Sequence, residues 1–257
     1  MELCAQVFDW ARFQRTKGAI KLHLQLDHQG CLPCWALVTD GDTHDVRLTQ
    51  TLRVAPGTIV VIDRGYLDDA LYHRWTTAGI GFVTRPRTNM IYTLLGRRPV
   101  PTRGPVLTDE VIQLTSPQAL ERCTIPLLMV TIWDATHQRR LTFLSNIMHL
   151  AARTIAAIYK ERWQIELFFK ALKQNLQVKT FVGTSDNAVQ VQIWPALIAM
   201  LRLKFLQLTS TWSWSLSNLA ALRRFNLLTY RDLWAWLDAP FEIPRLGPPV
   251  EQSVVVP

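Results

Sequence analysis

The chain has 257 residues, a formal net charge of +8 and a pI near 9.6, and 49% of its residues are hydrophobic. This length supports one large core with a smaller second module, and the apolar content excludes a disordered tail. The basic balance points toward a polyanionic partner, and the alternative is an ordinary solvated surface, which a basic pI also fits.

The first third of the chain predicts a β-hairpin followed by a strand–helix–strand unit. Residues 19–26 and 32–39 alternate as strands do, and the turn residues 27–30 separate them. Residues 58–62 form a β-branched apolar run that is typical of a buried strand, followed by helical spacing over 66–77 and a strand at 81–84.

Asp63 directly follows the predicted buried strand. A carboxylate at the C-terminal end of such a strand lies where α/β sheets place their functional sites. Asp is also favoured in turns and at helix N-caps, so a purely structural role is the alternative. Both interpretations of Asp63 remain open at this point.

Residues 85–144 predict a β-rich segment, because prolines punctuate short strand-like runs such as 111–114 and 127–133. Trp133 lies in this segment, and it is either an aromatic platform for a base or a core residue. The pair Cys31 and Cys34 is expected to be two ordinary thiols near the hairpin, since neither a redox helix nor further zinc ligands follow.

Residues 159–173 read YKERWQIELFFKALK and carry polar side chains at intervals of three, four and seven. At about 100° per residue, one continuous helix would bring them within roughly 60° of each other. The four residues are Tyr159, Arg162, Glu166 and Lys173. A carboxylate between two cations suits a metal-bound phosphodiester. The alternative is an ordinary surface ion pair of Glu166 with Arg162 or Lys170.

The C-terminal part predicts an apolar helix over 189–208, a polar-aromatic linker over 209–217, a helix over 219–237 and an extended tail over 239–257. The most apolar run, 193–201, is nine residues long and contains Pro195, so we expect no membrane span. No secretory signal is recognisable at the start, and four cysteines suit a reducing cytosol.

The spacing Y-x2-R-x3-E-x6-K resembles the block that marks DDE transposases of the insertion-sequence-four family. The segments VVIDRGYLDDALYHRW and FDWARFQRTKGAIKLHLQLDHQGCLPCWALVTDGDTHDV are also similar to that family. The resemblance implies an α/β fold with an RNase H-like core, interrupted by a β-rich insertion and followed by C-terminal helices. It divides the chain into core residues 1–84, insertion 85–144, core with the glutamate helix 145–208, and a C-terminal segment 209–257.

The resemblance also implies roles for individual residues. Asp63 and Glu166 would be the catalytic metal ligands for Mg²⁺, which Mn²⁺ can replace, and Tyr159, Arg162 and Lys173 would contact DNA. The partners would be double-stranded DNA of transposon ends and target, and a second copy in a synaptic homodimer. The expected location is the bacterial cytoplasm, at the nucleoid.

The family's first catalytic aspartate would fall before residue 1, since Leu3 and Cys4 match the pair that follows it. We therefore expect an N-terminally truncated core that lacks its first strand and is impaired in metal-dependent cleavage and strand transfer. The alternatives are a catalytically inactive fragment that titrates DNA ends or subunits, and an RNase H-like nuclease unrelated to mobile DNA.

Overall fold

The computed structural model describes residues 2–4, 12–14, 17–40, 51–66, 68–175, 185–226 and 232–240. They fall into two compact units. The first comprises Met1–His23 and Leu37–Leu167, and the second comprises Leu24–Ala36 and Phe168–Pro257. Strands predominate in the first unit and helices in the second, so the predicted α/β class is confirmed.

Four strands form a small sheet that contains the predicted hairpin: β1 (Glu2–Cys4), β2 (Arg12–Gln14), β3 (Lys17–Leu26) and β4 (Pro33–Asp40). β1 and β2 both pair antiparallel with β3. β4 also pairs with β3 and is the second strand of the hairpin. The turn closes where the Asp27 amide donates to the Leu32 carbonyl at 2.8 Å. Cys31 and Cys34 are free thiols beside this turn, as predicted.

A six-stranded sheet forms the centre of the first unit. Its strands are β5 (Ile59–Val61), β6 (Gly81–Thr84), β7 (Tyr92–Arg97), β8 (Val106–Leu114), β9 (Leu127–Asp134) and β10 (Arg139–Ser145), in the order β5-β6-β10-β9-β8-β7. β5 and β6 are parallel and the other neighbours are antiparallel. Because β10 pairs with β6, the strands predicted as an insertion extend the core sheet instead of forming a separate one; the segment boundaries themselves stay a prediction.

Helices cover both faces of this sheet. α1 (Asp69–Thr77) and α2 (Pro117–Arg122) pack on one face, and α3 (Ala152–Lys160) packs on the other. Successive strand residues alternate between the two cores, as Phe82 and Val83 do in β6. The sequence analysis missed α2, which Ser116 caps by accepting a hydrogen bond from the Ala119 amide at 3.1 Å.

Asn146 connects the end of β10 to the turn between α1 and β6. Its side-chain oxygen accepts from the Phe82 amide at 2.8 Å, and its side-chain nitrogen donates to the Ile80 carbonyl at 2.9 Å and to Thr76 Oγ1 at 2.8 Å. Three of the four hydrogen-bonding positions of the amide group are thereby occupied. The network fixes the direction in which the chain enters α3.

The second unit is helical. α4 (Trp163–Asn175) begins in the first unit and continues into the second, which also contains α5 (Asp186–Thr209), α6 (Leu216–Asn226) and α7 (Leu233–Asp238). The prediction of one helix over 219–237 is wrong, because extended Asp232 starts α7 by accepting from the Ala235 amide at 2.7 Å. Most of the predicted tail lies outside the described residues.

The predicted apolar helix is α5, and it raises the question of a membrane. Its residues Asn187–Thr209 are long and apolar enough to cross a bilayer by length and composition alone. A core helix of a soluble protein passes the same test, so this property by itself is weak evidence.

Candidate active site

Asp63 lies two residues beyond β5, at the edge of the six-stranded sheet. The strand pairing continues through Ile62, whose amide donates to the Val83 carbonyl at 3.2 Å. Buried Thr84 donates its hydroxyl to the Ile62 carbonyl at 3.0 Å, which fixes the backbone just before the aspartate. The exposed Asp63 carboxylate accepts from the Arg64 amide at 2.8 Å, so it also shapes the following turn.

A buried histidine holds that turn in place. The turn is a 3₁₀ helix over Arg64–Tyr66, and the Tyr66 hydroxyl lies 2.8 Å from His23 Nδ1. His23 Nε2 lies 3.0 Å from Thr39 Oγ1, and only 4% of the residue is exposed. The sequence analysis missed this link between β3, β4 and the Asp63 turn; the one signal was a histidine between two leucines in a strand.

The predicted continuous helix through Tyr159 and Glu166 is wrong, because it is interrupted. α3 ends at Lys160 and α4 begins at Trp163. Between them the amides of Glu161 and Arg162 donate to carbonyls three residues back, at 3.2 and 3.1 Å. Such 3₁₀-type bonds tighten the turn and redirect the chain. The break lets α3 and α4 bury different faces, with Ile155 buried in one and Phe168 in the other.

The interruption nevertheless gathers three of the four predicted side chains. Arg162 Nη2 donates to Glu166 Oε1 at 2.7 Å, and the Arg162 guanidinium carbon lies 5.6 Å from the centre of the Tyr159 ring. Tyr159 in turn packs against Phe143 of β10, with ring centres 4.9 Å apart. The ion pair with Arg162, which was the alternative interpretation of Glu166, is therefore present. An ion pair of this kind does not prevent the carboxylate from binding a ligand.

Electrostatic coupling connects this group to Asp63. Burial raises the pKa of Tyr159, the cation of Arg162 lowers it, and the carboxylate of Asp63 raises it. Burial lowers the pKa of Arg162, but its hydrogen bond to Glu166 and the nearby negative charges outweigh burial. Asp63 is one of those charges, so Asp63 and Glu166 both act on a single guanidinium.

Arg162 retains a buried donor that has no acceptor. Its Nε is buried and makes no hydrogen bond to any residue of the described ranges. An unsatisfied buried donor of a charged group is costly. Because this nitrogen is closed to solvent, a phosphate would have to bind the guanidinium through its other N–H donors.

Lys173 is exposed on α4, seven residues after Glu166, in the part of the helix that belongs to the second unit. Trp133, for which a core position was the favoured interpretation, is 37% exposed at the end of β9. The core interpretation is therefore wrong, and stacking on a base stays a prediction.

The two carboxylates suit a hard divalent cation. Asp63 and Glu166 offer oxygen ligands, and Mg²⁺ binds to one or two protein carboxylates while retaining several waters. Throughout the described ranges there is no group of three or more His, Cys, Asp or Glu residues placed to hold a metal.

An open groove of about 570 Å³ lies on the sheet face beyond α1. It begins at Pro86 and Arg87, immediately after Arg85, whose cation lowers the pKa of Tyr159. Its other lining residues are Thr88, Met90, Tyr92, Leu107, Thr108, Glu110, Met129, Thr131, Arg140 and Thr142. Glu110 is paired with Arg97 at 3.3 Å, which leaves the groove with a basic balance.

Residues 7–202 match the family model described as the transposase DDE domain. A Sinorhizobium fredii protein named as a candidate transposase, y4zB, is 32% identical over 197 residues, which are 74% of this chain and 54% of the relative. A Geobacillus stearothermophilus protein, named as probable transposase for the insertion sequence element IS5377, is 32% identical over 220 residues, which are 84% and 57% of the two chains.

The transposase InsG for the insertion sequence element IS4, from Escherichia coli, is 28% identical over 152 residues, which are 55% of this chain and 33% of the relative. The chain spans about half the length of the first two relatives. The family match covers most of the chain and agrees with the α/β, RNase H-like class expected from the sequence. The chain therefore belongs to the family of transposases that carry a DDE domain.

Proposed function

We propose that this chain is the catalytic part of a transposase that cleaves DNA at transposon ends and joins the ends to target DNA, in a divalent-metal-dependent reaction. The observation that supports this most directly is that half-buried Arg162 donates to Glu166 at 2.7 Å while the charge of Asp63, from a distant part of the sequence, also raises the pKa of Arg162. Two carboxylates beside a phosphate-binding cation are the groups that phosphoryl transfer requires.

In this proposal each residue has a separate task. Asp63 and Glu166 would hold Mg²⁺, or Mn²⁺ in its place; the bound ion would activate the attacking oxygen and stabilise the leaving oxygen. Arg162 would bind the scissile phosphate through the guanidinium donors that Glu166 does not use, while its Nη2 keeps Glu166 oriented. Tyr159, held against Phe143, would contact the end DNA, and Lys173 would bind a DNA phosphate.

The groove is a second basic surface on the α1 face of the sheet, whereas Tyr159 packs on the opposite face with α3. Arg87 and Arg140 supply cations for phosphates, and Tyr92 supplies an aromatic face on which a base can stack. We propose that this groove binds a segment of DNA away from the phosphate at Arg162.

The test is cleavage of duplex DNA that carries the ends of the element encoding the chain. Purified protein is incubated with labelled DNA and Mg²⁺ or Mn²⁺, and nicked and joined products are separated by electrophoresis. The proposal expects products that require the metal and that disappear in Glu166→Gln without loss of DNA binding. Metal-independent products, or equal activity of Glu166→Gln, would contradict it.

A second candidate is a chain that binds transposon ends or partner subunits without cleaving. The number of carboxylates favours it, because Asp63 and Glu166 do not form part of a group of three potential ligands among the described residues. Two carboxylates offer few ligands for the two ions of an in-line reaction. End-specific DNA binding without any metal-dependent product would support this second function and would contradict catalysis by this chain alone.

A further inference from the structure

The carboxylate of Asp63 lies in an exposed turn that is attached to the rest of the first unit at its two ends. At the strand end, the Ile62 amide donates to the Val83 carbonyl at 3.2 Å. At the other end, the two residues after Asp63 are exposed and Tyr66 is half-buried. An exposed turn makes few contacts of its own, so the attachment at its far end decides how firmly the carboxylate is oriented.

Tyr66 provides that second attachment. Its ring packs against the buried cluster on the α1 face of the sheet, and its amide donates to the Asp63 carbonyl at 3.2 Å. Its hydroxyl lies 2.8 Å from His23 Nδ1, and the two rings meet edge to face with centres 6.0 Å apart. A single residue therefore connects the backbone of Asp63 to the core and to strand β3.

The hydrogen bonds define which nitrogen of His23 carries the proton. The Thr39 hydroxyl donates its one hydrogen to the Asp40 carbonyl at 3.1 Å, so its oxygen accepts from His23 Nε2 at 3.0 Å. Assigned from this network, the proton lies on Nε2, and Nδ1 accepts from the Tyr66 hydroxyl. An uncharged imidazole thus receives a hydrogen bond from Tyr66 and passes one on to Thr39.

The burial of His23 indicates that orientation is its task. Only 4% of the residue is exposed, and an apolar side chain could fill the same volume without desolvating two ring nitrogens. An apolar side chain could not hold the Tyr66 hydroxyl at a fixed point, however. The hydrogen bond to Tyr66 is the property that distinguishes histidine at this position from a leucine or a phenylalanine.

We propose that His23 is a positioning residue for Asp63, and that it orients the Asp63 carboxylate through Tyr66. All three residues belong to the first unit. The inference rests on the proposed function for its consequence, since the orientation matters for DNA cleavage only if Asp63 is a metal ligand. Its structural part, that the bond between His23 and Tyr66 fixes the turn, holds without metal or DNA.

The first test removes one hydroxyl group. Tyr66→Phe keeps the packed ring and loses the bond to His23. Tyr72→Phe is the matched control, because Tyr72 belongs to the same buried cluster but lies in α1, outside the turn. Amide exchange with water is followed by NMR without metal or DNA. The Arg64 amide, which donates to the Asp63 carboxylate at 2.8 Å, should exchange roughly tenfold faster in Tyr66→Phe and at the wild-type rate in the control.

The strand end of the turn supplies an internal reference for this measurement. The Ile62 amide should keep its exchange rate in Tyr66→Phe, because its bond to the Val83 carbonyl is untouched. Equal acceleration at Ile62 and Arg64 would indicate general destabilisation, and an unchanged Arg64 amide would show that the turn does not depend on His23. Either result would overturn the proposal.

The second test measures the Mn²⁺ concentration that gives half-maximal cleavage of transposon-end DNA. Residues that orient a metal ligand affect metal affinity, so Tyr66→Phe should raise this concentration about tenfold. Saturating Mn²⁺ should restore the wild-type rate, because the carboxylate is misplaced and not lost. A variant that is merely less folded would lose rate at every metal concentration. A loss that Mn²⁺ does not restore, or an unchanged half-saturation, would count against positioning.

Two substitutions of the histidine separate its two hydrogen bonds. The side-chain amide of asparagine ends near the place of Nδ1, and that of glutamine ends near the place of Nε2. His23→Asn keeps a partner for Tyr66, so its Mn²⁺ half-saturation should stay closer to wild type than that of His23→Gln, which reaches only Thr39. The reverse order would overturn the role of Tyr66. If circular dichroism shows either variant unfolded, Tyr66→Phe decides alone.

Failure of this inference differs from failure of the proposed function. If the wild-type chain forms no metal-dependent product, the proposed function fails, and exchange of the Arg64 amide still decides whether His23 fixes the turn. If the wild-type chain cleaves DNA and Tyr66→Phe matches it in both measurements, cleavage stands and the positioning role of His23 is refuted.

Discussion

Helices α4 and α5 follow each other in the sequence, yet they use their surfaces differently. α4 buries Phe168 and Leu172, and its accessible surface mixes charged side chains such as Glu166 with the exposed Trp163 and Leu167. α5 buries one apolar side and exposes a second, from Val191 to Leu208. A polar stripe beside a core stripe is normal for a surface helix, whereas a second apolar stripe is not.

The comparison shows that the helix surface left outside the core is the one that indicates what the helix binds. On α4 that side carries a carboxylate whose partner, Arg162, has an unsatisfied buried nitrogen. On α5 it carries a heptad of apolar side chains. The first surface suits a charged ligand, and the second suits another apolar surface.

The largest expected effect is the loss of DNA cleavage when a carboxylate of the candidate active site is removed. Asp63→Asn or Glu166→Gln is expected to lower metal-dependent DNA cleavage by about 10²–10³-fold, because a neutral amide holds a divalent cation poorly. Product formation at saturating DNA and varied Mg²⁺ measures the effect. Glu121→Gln, an exposed acid on α2, is the control and should keep full activity. Equal losses in all three variants would argue against a specific metal site.

The next largest effect is expected on stability, when the hydrogen bonds of Asn146 that orient α3 and hence Tyr159 are removed. Asn146→Ala removes three hydrogen bonds and leaves the Phe82 amide without its partner, so we expect a loss of about 2–4 kcal/mol in the free energy of unfolding. Urea titration followed by fluorescence measures it. The exposed helical position Asn218→Ala should change stability by less than about 0.5 kcal/mol. A neutral Asn146→Ala would show that the network does not position the site.

A smaller effect is expected on DNA affinity when Arg162 is replaced by another cation of different geometry. Arg162→Lys keeps the cation but removes Nε and the planar contact over Tyr159, so DNA affinity should fall by about tenfold. Fluorescence anisotropy with end DNA at fixed salt measures the dissociation constant. Arg153→Lys, on the exposed side of α3, should leave affinity unchanged. If both variants bind equally well, a point charge suffices and the guanidinium has no specific role.

The smallest effect is expected on the salt dependence of DNA binding, and it tests whether Lys173 of α4 contacts a phosphate. Lys173→Ala should lower the slope of log affinity against log salt by about one unit, because one phosphate contact is lost. Lys170→Ala on the same helix is the comparison and should preserve the slope. An unchanged slope in Lys173→Ala would exclude a direct phosphate contact.

Local patterns predicted much of the first unit because they follow from short-range rules. The alternation of residues 19–39 gave the hairpin β3–β4, and the β-branched run before Asp63 gave β5. The prediction that this strand is buried and central is wrong, because β5 lies at the edge of the sheet and Ile59 is 43% exposed. The spacing of Tyr159, Arg162 and Glu166 located the candidate site, and two of these side chains do meet in an ion pair. Periodicity was informative here because side chains on one turn or one strand face must share an environment.

The missed features depend on contacts between distant residues. His23 supports the turn after Asp63 through Tyr66, a partner 43 residues away. The break at Glu161 and Arg162 appears only when α3 and α4 must bury different faces. Neither follows from spacing, because each requires knowing which surfaces meet.

The sequence by itself determined the α/β class through local periodicity and the family through the resemblance of its motif blocks, and it predicted the residues proposed to carry the chemistry. Only the tertiary structure decided that Asp63 and Glu166 act on one arginine, that β10 joins the predicted insertion to the core sheet, and which apolar side of α5 stays exposed. The physical reason is that sheet pairing, electrostatic coupling and burial are properties of pairs of surfaces, and a linear pattern specifies only one surface of each pair.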